Sequence, residues 1–83
     1  MEPAKIRNQI RRLRFESGEM TQQALAEQTG VTRQTIVAIE GAKYSPSLEL
    51  AFRIATAFRQ PLEQVFQYDS GIGGAGPTDR EPS

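Results

Sequence analysis

Residues 21–43, TQQALAEQTGVTRQTIVAIEGAK, constrain the fold more than any other part of the chain, because they encode two short helices joined by a very tight reversal. Thr21 can cap a first helix whose inward residues are Leu25 and Ala26. A side chain larger than alanine at the second of these positions would hold the two helices apart. Gly30 supplies the reversal, since only glycine enters the left-handed backbone region without a steric cost. Val31 then returns to the core, and Thr32 caps the second helix. In that helix Ile36 and Ile39, three apart, mark the buried stripe. At about 100° per residue, Gln34, Val37 and Ala38 are left on the opposite face, with Arg33 on its flank.

This layout is that of a helix-turn-helix, in which the second helix can lie in the major groove of DNA. An amide, a guanidinium and two small apolar groups match what base edges offer. Glutamine bonds adenine in bidentate fashion, arginine bonds guanine or phosphate, and valine or alanine touches a thymine methyl. Two short amphipathic helices around a glycine also occur in bundles that never meet DNA, so the flanking sequence has to carry part of the assignment.

The flanks do so by resemblance. The run IRRLRFESGEMTQQALAEQTGVTRQTIVAIEGAKYSPSLELAFRIATAF and the closing PLEQVFQY resemble the Cro/cI-type regulators of the xenobiotic-response-element (XRE) class, over roughly residues 6–68. They are most similar to its compact stand-alone members. The resemblance implies an all-α, compact five-helix, lambda-repressor-like DNA-binding domain, to which the composition adds a flexible C-terminal tail. It implies that Gln22 contacts phosphate and braces the recognition helix, and that Arg33, Gln34, Val37 and Ala38 meet the major groove. Thr32 and Thr35 border that face and are counted with it; a shift of one residue in helix phase would exchange Gln34 for Thr35. Lys43 and Tyr44 match a loop that touches the duplex backbone, and Arg14 and Glu40 match a partly buried ion pair tying the first helix to the recognition helix. An acid ending a buried helix would be costly without such a partner. Two departures from the family pattern stand out. SGEMT holds one residue more than the shortest members, and FRQPL carries Arg59 and Gln60 where a glycine commonly closes the fourth helix.

The remaining elements follow from periodicity and breakers. A first helix is predicted from about residue 3 or 5 to residue 17, with Ile6, Ile10 and Leu13 as its core stripe and Gly18 ending it. Helices over residues 21–29 and 32–40 form the motif. Gly41 and Pro46 break the chain between them and a fourth helix capped by Ser47, with Leu48, Ala51, Ile54, Ala55 and Phe58 facing inward. Pro61 opens a short fifth helix, LEQVFQ, in which Leu62 and Val65 close the base of the core. Phe66 and Tyr68 are expected to meet a second chain, because they would otherwise leave an exposed apolar patch.

At 83 residues the chain has room for one small domain, with a modest core. Its formal net charge of zero argues at first against a nucleic-acid partner. The distribution argues otherwise. Residues 5–14 hold five basic side chains and no acid, and residues 1–66 carry nine basic against seven acidic, so that one face can be positive. Within that run Arg7, Arg11 and Arg12 either serve this face or simply solvate the first helix.

There is no cysteine and no histidine, which excludes disulfides, thiolate and imidazole metal sites, and Ser/His or Cys/His catalysis. No cofactor is implied. The scattered carboxylates share no cleft with a nucleophile, so an enzyme is not expected. No apolar run approaches membrane-spanning length, and a cytoplasmic protein with no membrane partner is predicted. After Tyr68, DSGIGGAGPTDREPS combines four glycines and two prolines with little to bury. The predicted division is therefore a helix-turn-helix domain over residues 1–68 and a flexible Gly/Pro-rich tail over residues 69–83. GIGGAG within the tail lacks the strand and helix that a phosphate-binding loop requires.

The expected function is sequence-specific binding of double-stranded DNA by a homodimer on a short, near-palindromic operator, with repression as the outcome. The alternative is an antitoxin-like protein-interaction module that binds a partner protein and autoregulates its own operon. A phage-type repressor or a restriction-modification controller would be further DNA-binding variants.

Overall fold

The computed structural model describes residues 6–68. The predicted tail lies outside the described residues, as do the first five positions. The chain runs β1 (Ile6–Asn8), α1 (Ile10–Glu16), α2 (Gln22–Thr29), α3 (Arg33–Glu40), α4 (Leu48–Phe58), α5 (Leu62–Val65) and β2 (Phe66–Tyr68). The five helices enclose one core of Ile10, Leu13, Leu25, Ala26, Ile36, Ile39, Leu50, Ile54, Ala55, Phe58 and Val65.

The caps fall where the sequence places them. Thr21 accepts a hydrogen bond from the Ala24 amide at 2.9 Å, and Thr32 accepts one from Thr35 at 3.2 Å. Ser47 accepts one from Leu50 at 3.1 Å. Each of these bonds satisfies an amide that the first turn of a helix leaves unpaired. Gly30 closes α2 in the left-handed region, with φ 79° and its amide bonded to the Ala26 carbonyl. A Cβ on Gly30 would make only ordinary contact with Arg53 Nη1, at 3.5 Å, so glycine is required there by backbone conformation and not by space.

Three expectations need correction. Ile6 does not lie on the first helix: it belongs to β1, which pairs antiparallel with β2 in the register Ile6↔Tyr68, Arg7↔Gln67, Asn8↔Phe66. Arg7 is therefore a strand residue. The fifth helix stops at Val65, and Phe66 and Gln67 continue as strand. The reason is the same at both ends. Three-residue segments have no helix or strand preference strong enough to decide, and pairing between segments some sixty positions apart decides for them.

On α4 it is Leu50 that is buried, whereas Leu48 is 66% exposed. Once Ser47 fixes the cap, the helix phase carries position 48 past the edge of the core. At the end of α3, Gly41 has φ −81°, and the left-handed residue is Ala42, with φ 61°. Lys43 N bonds Ala38 O at 2.9 Å and Ala42 N bonds Ile39 O at 2.9 Å, which ties off the last carbonyls of the helix. The departure at Arg59 takes the form of strain, since α4 ends on Arg59 in the left-handed region at φ 57°.

Candidate nucleic-acid interface

Packing of Leu25 and Ala26 under Ile36 and Ile39 turns one side of α3 inward and the other to solvent. Ile36 and Ile39 are essentially inaccessible, while Arg33, Gln34 and Val37 are exposed and Thr35 and Ala38 are half-buried. This is the phase predicted from the sequence, with Gln34, Val37 and Ala38 together on the free face. Thr32 and Thr35 join their hydroxyls at 3.0 Å beside it, so both are committed to shaping the first turn. Lys43 and the 52%-exposed Tyr44 follow in the loop after α3.

Two clamps fix α3 against the rest of the domain. Arg14 on α1 grips Glu40 in a two-pronged ion pair, Nε to Oε1 at 3.0 Å and Nη2 to Oε2 at 2.9 Å. Its third donor, Nη1, bonds the Met20 carbonyl at 2.9 Å. The two side chains are only 18% and 13% exposed, which makes the pair a structural tie of the kind expected from the resemblance. Gln22 Nε2 reaches Glu40 Oε1 at the long distance of 3.5 Å, a weak brace that leaves most of its amide for another partner.

The second clamp escaped the sequence reading. Asn8 Nδ2 donates to the Ile39 carbonyl at 2.9 Å, and its Oδ1 accepts the Ile10 amide at 3.1 Å. One side chain thus satisfies the end of α3 and the start of α1. Asn8 stands two positions before the first helical residue, and its side-chain oxygen reaches the Ile10 amide although Gln9, at the N-cap itself, makes no side-chain cap.

Phe66 and Tyr68, predicted as interface residues, occupy β2. Tyr68 is 71% exposed, whereas Phe66 is half-buried and packs partly on its own core. They border an apolar groove shared with Ile6, Leu48 and Leu62, on a different part of the surface from the free face of α3.

Two capped helices crossing at a glycine turn, the second rigidly clamped and presenting an amide, a guanidinium and small apolar groups, define a helix-turn-helix DNA-binding domain. Comparison with known proteins agrees. A family model described as helix-turn-helix matches residues 10–65. An uncharacterized HTH-type transcriptional regulator of Methanothermobacter thermautotrophicus is 54% identical over 65 residues, covering 77% of this chain and 93% of that protein. The uncharacterized HTH-type transcriptional regulator YgzD of Bacillus subtilis is 46% identical over 61 residues, covering 74% of this chain and 91% of that one. A crystal structure of a Bacteroides fragilis protein assigned to DNA binding superposes with a TM-score of 0.67 at 27% identity, over 75% of this chain and 98% of that chain. The chain belongs to the XRE-type helix-turn-helix family of transcriptional regulators, which is a family of DNA-binding proteins and not of enzymes. Among the described residues no helix is long and apolar enough to cross a membrane.

Proposed function

We propose that this protein is a sequence-specific regulator, acting in the cytoplasm as a repressor, that binds a short near-palindromic operator as a homodimer. The observation that carries the reading is the free face of α3, where Gln34 and Val37 stand exposed on a helix clamped at its far end by Arg14 and Asn8. Rigid presentation matters because base readout depends on holding a side chain within about 0.5 Å of its productive position in the groove. In this reading Gln34 bonds an adenine edge, Val37 and Ala38 meet thymine methyls, and Arg33 takes guanine or phosphate. Gln22, Lys43, Tyr44 and the first-turn hydroxyls of Thr32 and Thr35 engage the backbone or its border.

Homodimerisation is supported by the groove beside β2. Leu48 and Tyr68 are 66% and 71% exposed there, next to a strand that pairs on one edge only among the described residues. An apolar patch joined to an open strand edge is a surface that favours a partner, and a second copy satisfies both. In a homodimer on a two-fold symmetric operator the two α3 helices would enter successive major grooves, with half-sites about 34–36 Å apart, one helical turn of DNA.

In vitro selection of duplexes by the purified protein, at two salt concentrations, tests the reading. The expected result is a two-fold symmetric motif with half-sites one helical turn apart. Sequence-blind binding that disappears with salt, or no binding, would overturn it and move the weight to the antitoxin-like partner-binding alternative.

A further inference from the structure

We propose that Arg11, on α1, is a DNA-backbone anchor that completes a phosphate-binding crevice between α1, the start of α2 and the recognition helix. Neither the helix-turn-helix motif nor the free face of α3 includes this residue. Its position follows from the Arg14–Glu40 clamp. Arg11 precedes Arg14 by three residues in the same helix, so both project from one side of α1, about one turn apart. Arg14 turns inward to Glu40; Arg11 remains exposed above it.

Two surface crevices meet at this point. One runs between α1 and the end of α3 and is lined by Arg11, Gln22, Val37 and Glu40; the other runs toward the start of α3 and is lined by Arg11, Gln22, Arg33 and Glu40. Arg11 therefore borders the same hollows as the base-reading Val37 and the flanking Arg33, which places it on the DNA-facing side of the domain.

The charge balance of this region points to an anion. Its two carboxylates are already engaged: Glu40 by Arg14 at 2.9 Å, and Glu16, which lines the first crevice, by Arg12 at 3.2 Å. The ion pairs among the described residues use Arg12, Arg14 and Arg53, and none takes up Arg11 or Arg33. The Arg11 and Arg33 guanidiniums then line one crevice together with the Gln22 amide. A phosphate of the duplex backbone supplies acceptor oxygens to the two guanidiniums, which have no ion-pair partner among the described residues, and a better acceptor to the Gln22 amide than its 3.5 Å contact with Glu40; arginine is the side chain best shaped to receive it. Clustering of this kind explains how a chain of zero net charge binds a polyanion, since the acids on this face are neutralised locally and only the bases remain.

The inference rests on the DNA-binding reading, and the experiment separates the two. The full-length protein, Arg11→Ala, Arg11→Lys and Lys43→Ala are titrated into labelled random-sequence duplexes over a range of salt. Arg11→Ala should lower affinity for every duplex by about eightfold at roughly 0.1 M monovalent salt, and reduce the slope of log K against log salt by about one, the signature of one lost phosphate contact. Arg11→Lys should keep most of the slope, and thermal unfolding of both variants should match the parent. If the parent and Arg11→Ala bind alike while Lys43→Ala weakens, Arg11 is a solvated surface residue and the proposal falls alone. If the parent binds no duplex, the proposal falls together with the DNA-binding reading. A change in sequence preference without a change in slope would also overturn it, because it would make Arg11 a base reader.

Discussion

Replacing Glu40 with alanine should unfold this domain at a much lower temperature, although the residue sits at the end of a helix close to the surface. The substitution removes the acceptor of two charged hydrogen bonds and leaves the Arg14 guanidinium, 18% exposed, with the Met20 carbonyl as its remaining partner. Breaking a fully buried pair costs about 3–5 kcal/mol and breaking an exposed one about 0–1. Exposures of 18% and 13% place this pair nearer the buried limit, so the loss should be about 2–3 kcal/mol. A domain of this length holds roughly 3–9 kcal/mol in total. At about 4–8 °C per kcal/mol for so small a domain, the melting temperature should fall by about 10–20 °C. Thermal and urea unfolding followed by circular dichroism, on Arg14→Ala, Glu40→Ala and the double variant, gives the measurement. The coupling between the two sites should exceed about 1 kcal/mol and should survive high salt, because solvent and ions reach the pair poorly. Single-variant losses within about 0.5 kcal/mol, with no coupling, would show that the pair is a surface contact and that the clamp on α3 lies elsewhere.

Further outcomes follow from the same geometry. Gln34→Ala should cost about 1–3 kcal/mol of operator binding and relax preference at one base pair, whereas Lys43→Ala should weaken all sequences alike and lower the salt slope by about one; competition binding on single-base operator variants distinguishes them. Unchanged affinity and preference in Gln34→Ala would mean that the phase of α3 on DNA is misassigned. Arg59→Gly should stabilise the fold by about 0.5–1 kcal/mol, since relief of the left-handed backbone, about 1–2 kcal/mol, exceeds the added freedom of the unfolded chain. A lower melting temperature would show that the Arg59 side chain contributes more than its strain costs. Tyr68→Ser should shift sedimentation equilibrium from dimer to monomer with little loss of fold, and an unchanged mass would remove Tyr68 from the interface. Tyr68 is a cleaner probe than Phe66, which also packs on its own core.

Residues 21–40 were legible in the sequence almost to the residue. Thr21, Gly30 and Thr32 act through bonds to neighbours three or four positions away, and Ile36 and Ile39 fix the helix phase, so local chemistry alone set the turn, the caps and the free face. The same logic found the cap at Ser47, whereas the unusual helix end at Arg59 showed only as a departure from the family pattern. The Arg14–Glu40 tie was reached only through resemblance, because nothing local relates two residues 26 positions apart.

Other features were decided by the tertiary structure. Ile6 and Phe66 became strand residues because β1 and β2 meet across nearly the whole domain, and a three-residue segment takes whichever conformation its partner pairs with. Asn8 became a clasp on α3 for the same reason: the carbonyl it binds belongs to Ile39, brought within 2.9 Å by the packing of the core. Leu48 stayed outside because the cap at Ser47 sets the rotation of α4 against neighbours that periodicity cannot see. Arg11 was visible from the start as one of several bases, yet its surroundings, two neutralised carboxylates and Arg33 across a crevice, exist only once three helices are assembled. The sequence by itself therefore determined the helix-turn-helix and the exposed face of its second helix, through interactions within one or two turns of helix. Only the folded chain decided how that face is clamped and edged with charge, because those interactions join segments that the sequence keeps apart.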